Sequence, residues 1–251
     1  MVSFDSTAVG TSASEWRAAF ARHRFRQLNL ADVSELLVFA AHPDDETLAA
    51  GGLIAEMCSR ELPVHVVIVT DGAASHPDSI THSAEQLATI RAKEAFTAVA
   101  ALAPGASISL LGFPDGAVLE NRDAVAAALA PFLAESDDNA LVLAPWRGDG
   151  HRDHRVVGEI VADATAEKRA FLEYPVWLWH WADPESDDVP WDQLFAVPMR
   201  QKAQTAKRRA ILSYASQTTA LGELEGDEAV LGTEFLRNFE HPLELFIGSE
   251  R

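Results

Sequence analysis

Cysteine is nearly missing from this 251-residue chain, and its one copy, Cys58, has no intrachain partner for a disulfide. That scarcity is consistent with a reducing, cytoplasmic setting, and Cys58 itself falls in an apolar helical stretch where it reads as inert packing. Basic residues are also in deficit: 20 Lys and Arg stand against 38 Asp and Glu, a formal charge of −18. A sequence-independent grip on nucleic acid or on an anionic membrane needs cations to meet phosphate, so neither partner is expected. The acidic excess serves solubility. No apolar run approaches the ~20 residues that a membrane helix needs. The opening residues, MVSFDSTAVGTSASEW, hold no basic segment followed by an apolar one, so no secretory signal is expected. Internal repeats and low-complexity tracts are missing too.

What is present is enough for a sizeable core. Apolar residues make up 48% of the chain, and its length suits one domain over residues 1–251. Apolar runs at Leu36–Ala41, Val64–Val69, Ser107–Leu111 and Ala140–Ala144 read as strands separated by Ala-rich helices, with a fifth strand over Phe171–Trp179 interrupted by Pro175. That alternation predicts an α/β fold with a Rossmann-like, mostly parallel sheet flanked by helices, and an active site at the carboxyl ends of the strands. Ser83 and Gln86 form a capping box for the helix ending near Leu102, and Pro131 argues for a break in the helix over 121–135. Ser14 onward reads as a short amphipathic helix. The 180–198 stretch, rich in Trp, Pro and Asp, has no regular pattern. Residues 199–214 read as a basic helix whose Lys202, Lys207, Arg208 and Arg209 form a solvated face, and no motif emerges over 221–246.

Two clusters carry chemistry. His42-Pro43-Asp44-Asp45-Glu46 leaves the first strand, and Gly150-His151-Arg152-Asp153-His154-Arg155 follows the fourth. Taken alone, Asp44 or Asp45 reads equally well as a cap for the next helix. The second cluster changes that, because His151 and His154, three apart on a helix, share a face. A catalytic zinc site uses three protein ligands and an open position, which two imidazoles and one carboxylate can supply. A further carboxylate can then take a proton from water, and a remaining imidazole can stabilise an oxyanion or protonate an amine. His65, His76, His82, His180 and His241 are not placed on the metal; His76 and His82 are candidates for the mouth of the site.

With these residues in hand, the sequence resembles the LmbE-like, or PIG-L, family of zinc-dependent N-acetylglucosaminyl deacetylases. The resemblance rests on Ala41-His42-Pro43-Asp44-Asp45-Glu46 paired with His151-x-x-His154. It extends to Thr70-Asp71-Gly72, Arg91-x-x-Glu94, Leu111-Gly112-Phe113-Pro114-Asp115-Gly116 and Tyr214-x-Ser216-Gln217. It implies that His42, Asp45 and His154 hold Zn2+, or Fe2+ in the cell, that Asp44 is the general base, and that His151 steadies the tetrahedral intermediate or protonates the leaving amine. It further implies that Arg91 and Asp115 contact a small-molecule N-acylated amino sugar or glycoconjugate. Read for structure alone, Arg91 would pair with Glu94 one turn on and Asp115 would shape a Pro-Asp-Gly turn.

The chain departs from the family pattern at two positions. Asp149 stands where relatives often place a tyrosine two residues before the first histidine of HxxH, and Arg152 stands where they place proline. Trp146 or Arg147 would then shape the pocket instead. Two other readings follow: a zinc amidase acting on a thiol conjugate or acylated natural product, and a metal- or sugar-binding domain without turnover. The intact Asp44 and His151 argue against the last, since a binding module needs no base beside an open metal position.

Overall fold

Leu36, Val38 and Ala40 point into one apolar cluster while Leu37, Phe39 and Ala41 point into another, the alternation of a strand buried on both faces. The computed structural model describes residues 8–165 and 169–248. In chain order the elements are α1 (Ala13–Arg22), β1 (Arg26–Gln27), β2 (Glu35–Ala40), α2 (Asp45–Ser59), β3 (Val64–Thr70), α3 (Ala84–Leu102), β4 (Ser107–Phe113), α4 (Arg122–Glu135), β5 (Ala140–Pro145) and α5 (Arg152–Thr165). They continue as β6 (Ala170–Tyr174), α6 (Leu178–Trp181), β7 (Leu194–Pro198), α7 (Gln201–Ile211), α8 (Ala215–Thr218), α9 (Thr233–Leu236) and β8 (Leu243–Ile247).

One eight-stranded sheet runs β1-β7-β8-β6-β5-β2-β3-β4. Its pairs are parallel except those made by β8, which lies antiparallel between β6 and β7. The expected α/β fold with a mostly parallel sheet is therefore present. Helices α4 and α5 cover one face through Val125, Leu129, Val156 and Val157. Helices α2, α3 and α7 cover the other through Leu53, Ala95 and Ala203. Among the described residues, no helix is long and apolar enough to cross a membrane.

The order of the strands positions the site. From β2 the chain builds outward through β3 to β4, then returns to lay β5 against the other side of β2, with Leu36 paired to Leu141 and Val38 to Leu143. The winding reverses between β2 and β5, so a crevice opens there at the carboxyl ends. Residues 42–46 and 149–154 leave those two strands.

Several local expectations change in the structure. Pro131 lies inside α4 without breaking it; its face is exposed, so the carbonyl that loses a helical partner can turn to water. Pro175 ends β6 instead of interrupting it, and Trp177–Trp181 enter a turn and α6. The irregular 180–198 stretch contains β7, and 221–246 contains α9 and most of β8. On α7, Lys202, Arg208 and Arg209 are exposed, but Lys207 is 3% exposed and pairs with Glu244 on β8 at 2.7 Å.

Candidate active site

The turn after β2 forces Asp44 into φ 131°, ψ −29°, a conformation that L-residues rarely adopt. Neighbouring bonds hold it there. The Asp44 carbonyl accepts from Thr47 N at 3.0 Å and Leu48 N at 2.8 Å, starting α2. The Asp44 amide donates to Glu46 Oε2 at 3.1 Å. Glu46 is wholly buried, and its other oxygen accepts from Thr47 Oγ1 and Tyr214 Oη, each at 2.6 Å. Tyr214 of the downstream motif thus braces the turn that carries the upstream one.

Asp45 opens α2 and accepts the His42 amide at 2.8 Å. His154, in the first turn of α5, brings Nε2 to 3.2 Å from Asp45 Oδ1 and 3.2 Å from His42 Nδ1. His42 Nδ1 stands 3.5 Å from Asp45 Oδ2. A tetrahedral shell with bonds of about 2.0–2.2 Å separates neighbouring donors by about 3.3–3.6 Å, so these three atoms fit one divalent cation. His42 also belongs to two wider sets of possible donors, one with His151 and His154 and one with Asp115 and Asp153. The direct distances of 3.2–3.5 Å favour His42, Asp45 and His154, whose N2O donor set is also softer than that of His42 with Asp115 and Asp153.

Each histidine of that trio has a carboxylate behind it. His154 Nδ1 lies 2.7 Å from Asp149 Oδ2, which fixes the tautomer that leaves Nε2 free for a metal. Asp149 is itself fully buried, accepting the amides of Val176, Trp177 and Leu178 at 2.9–3.0 Å. His42 Nε2 stands 3.1 Å from Asp115 Oδ1 and 3.4 Å from Asp153 Oδ2. The angles are poor for a hydrogen bond, so this nitrogen has charge partners and no formal bond. Burial works against a charged His42, but the carboxylates of Asp115, Asp153 and Asp45 outweigh it and raise its pKa well above the usual value.

His151 is the residue before α5, and its carbonyl accepts Arg155 N at 3.1 Å. Its ring centroid lies 4.7 Å from those of both His42 and His154. The Asp153 amide sits 3.2 Å from His151 Nδ1. An amide can only donate, so Nδ1 accepts and the neutral ring carries its proton on Nε2. Burial and the neighbouring imidazoles of His42 and His154 push the His151 pKa down to about 3.

Arg91 does not pair with Glu94. Its Nη2 donates to Asp44 Oδ2 at 2.8 Å and to the Pro43 carbonyl, while Nη1 donates to the Gly72 carbonyl at 3.0 Å. Gly72 is needed there: its φ is +65°, and a Cβ would come within 2.6 Å of Arg91. Glu94 instead accepts the amide and hydroxyl of Ser216, both at 2.7 Å. Burial pushes the Asp44 carboxyl up to about 7 against the pull of Arg91, with Asp45 adding to the rise.

These groups open into a cleft of about 450 Å3 lined by His42, Asp44, Asp45, Arg91, Asp115 and His151 among others. Trp146 and Arg147 do not shape it. Arg147 turns away to Glu173 at 2.8 Å, and Asp149 is sealed behind His154. Further walls come from Val176, Trp177, Val230 and Leu231. Asp149 and Asp153 had a signal, since metal-binding histidines regularly recruit carboxylates. His76 lies off the cluster, with Nε2 against the Glu228 carbonyl at 3.1 Å.

Residues 37–165, just over half of the chain, match the family model described as PIG-L, GlcNAc-PI de-N-acetylase, and they include every residue of the cluster. The chain belongs to the PIG-L family. Among PIG-L relatives, the 1D-myo-inositol 2-acetamido-2-deoxy-alpha-D-glucopyranoside deacetylase of Rhodococcus jostii (strain RHA1) is 31% identical over 163 residues, covering 56% of each chain. The protein of the same name from Mycobacterium sp. (strain KMS) is 27% identical over 234 residues, covering 74% of each. The chain spans 56–60% of the length of the three Rhodococcus relatives. Among solved structures, N,N'-diacetylchitobiose deacetylase from Pyrococcus horikoshii superposes with a TM-score of 0.60 at 22% identity, covering 75% of this chain and 72% of that one. The A40926 pseudoaglycone deacetylase Dbv21 gives 0.58 at 22%, covering 78% and 87%. At such identities the likeness is one of fold.

Proposed function

We propose that this protein is a metal-dependent amidohydrolase that removes an N-acyl group, acetyl in the first instance, from an amino sugar or glycoconjugate. Residues 1–251 are read as one such domain, working in the cytoplasm. The observation that carries the proposal is the meeting, in one cleft, of a three-donor cluster with a carboxylate near neutrality and a neutral imidazole. The names of the relatives supply the substrate class.

His42, Asp45 and His154 would hold the cation, with zinc favoured by the donor set and Fe2+ as its cellular competitor. A divalent metal at this position acts as a Lewis acid toward the amide carbonyl and acidifies water. Asp44, fixed by its strained backbone and by Arg91, takes the proton of the attacking water. With the bond to nitrogen breaking, the protonated Asp44 is the group able to deliver that proton to the leaving amine. His151 is too weak a base to be charged at neutral pH, so it acts through its Nε2 proton, donating to the negative charge that develops on the amide oxygen. Arg91 and Asp115 line the cleft where sugar hydroxyls would lie.

The test is amine release by zinc-loaded protein from a panel of N-acetylated amino sugars. Release that depends on metal and falls by about 10²–10⁴ in Asp44→Asn is expected. A protein that keeps its metal yet frees no amine from any member of the panel would return the reading to a binding domain.

A further inference from the structure

A second cavity, of about 740 Å3, adjoins the catalytic cleft, and the two share Ser75, Trp177 and Val230 as wall. Its floor carries Trp177 and Phe235, stacked at 4.7 Å between centroids and 18° between planes. Segment 8–11 closes one side, tied down by Thr11, whose hydroxyl donates to the Ala182 carbonyl at 2.7 Å and whose amide donates to the His180 carbonyl at 2.8 Å. Its charged lining is acidic, from Asp78, Glu228 and Glu234, and no lysine or arginine among the described residues lines it. An anionic occupant would meet no counter-charge there. A flat, neutral, apolar one would bury against the open sides of the Trp177–Phe235 stack, both of whose residues are half-buried.

We infer that this cavity is the subsite for the group attached to the amino sugar, and that it selects a neutral aromatic or similarly flat apolar aglycone over a phosphate. The inference rests on the proposed deacetylase reaction, because the cavity gains its meaning from opening beside the acyl-cleaving cleft. Trp177 stands on the border of the two spaces and Phe235 belongs to the second alone, so the aglycone recognises the enzyme through residues outside the catalytic cluster.

The experiment compares N-acetylglucosamine, its phenyl glycoside and its 1-phosphate on the zinc-loaded protein, by turnover and by calorimetric binding. Burying a phenyl ring on an apolar wall should lower KM and Kd by about tenfold or more relative to the free sugar, with the 1-phosphate no better than the sugar. Phe235→Ala should erase the phenyl advantage while leaving kcat/KM for N-acetylglucosamine unchanged. Gly232→Trp is an independent probe. Gly232 lines the cavity with φ −63°, and an added Cβ there meets no atom within 4 Å, so a side chain can start from this position without a clash at Cβ. It should block the phenyl glycoside selectively.

Equal KM and Kd for the phenyl glycoside and the free sugar would overturn the assignment, as would a preference that survives both substitutions. Tighter phenyl binding without amine release would support the cavity's role while refuting the reaction, so the two failures are distinguishable.

Discussion

Asp149 Oδ2 lies 2.7 Å from His154 Nδ1, and neither side chain has any exposure to solvent. The contact turns a departure from the family pattern into a support of the candidate metal cluster: the carboxylate holds the ring in place and leaves Nε2 facing Asp45 and His42. Asp149→Asn should keep part of the bonding to the amides of Val176, Trp177 and Leu178 while weakening the hold on His154. Metal affinity is expected to fall by about 10–100-fold, measured by competition with a chelator. An unchanged affinity would make Asp149 a purely architectural residue.

The three candidate ligands should behave alike, and His151 differently. His42→Ala, Asp45→Ala and His154→Ala are expected to lose most bound metal, read by elemental analysis. His151→Ala should retain it and lose turnover, since its contribution is a proton donor and three protein ligands already leave an open position. Metal lost from the His151 variant would make it a fourth ligand.

For Asp44→Asn the expectation is near-normal metal content with kcat/KM lowered by about 10²–10⁴. A base works only when unprotonated, so wild-type activity should fall on the acidic side of its pKa, and the variant should lack that limb. Burial sets Asp44 at about 7, and a bound cation pulls it lower, which puts the limb at or below neutrality. Loss of metal from Asp44→Asn, with Asp45→Asn retaining it, would exchange the two assignments.

Burial opposes the charge of His154, yet Asp45 and Asp149 raise its pKa to about 9. In chelator-treated protein, that shift above the unfolded value of about 6.5 contributes stability that is complete below about pH 6.5 and lost as pH rises through about 9. Metal needs the neutral ring, so its binding has the opposite sign: affinity should climb over the same window, with proton release on binding. Calorimetry in buffers of different ionisation enthalpy measures that release, and zinc binding without it would contradict the assignment of His154.

Lys207→Met should destabilise the fold by about 3–5 kcal/mol, because Glu244 would keep a buried charge without its ion partner. Its remaining bonds come from the amides of Gly52 at 2.6 Å and Leu53 at 2.7 Å. Adding Glu244→Leu should recover part of the loss in urea unfolding; a single substitution without effect would show that the pair carries no net energy.

By itself the sequence determined the fold class and the position of the chemistry. Runs such as Leu36–Ala41 and Ala140–Ala144 are apolar on both strand faces, which requires helices on each side. The residues that follow a strand must lie at its carboxyl edge, so His42–Glu46 and His151–His154 could be placed before their contacts were known. Tertiary structure decided what depends on distant partners. Lys207 looks like a solvated cation in a basic helix until β8 brings Glu244 to it. Antiparallel β8 fits between β6 and β7 only once both are built, and local pattern over 221–246 carries no trace of that pairing. Arg91 found Asp44 instead of Glu94 because the β2 turn, 47 residues away, offers a carboxylate and the Pro43 carbonyl, and the β3 turn adds the Gly72 carbonyl, where the helix offers one side chain. Asp149 could be read as a missing phenol in one dimension; three converging amides and an imidazole made it a buried anchor. Sequence periodicity specifies which face of an element is apolar, while the partner of a buried charge is set by long-range packing.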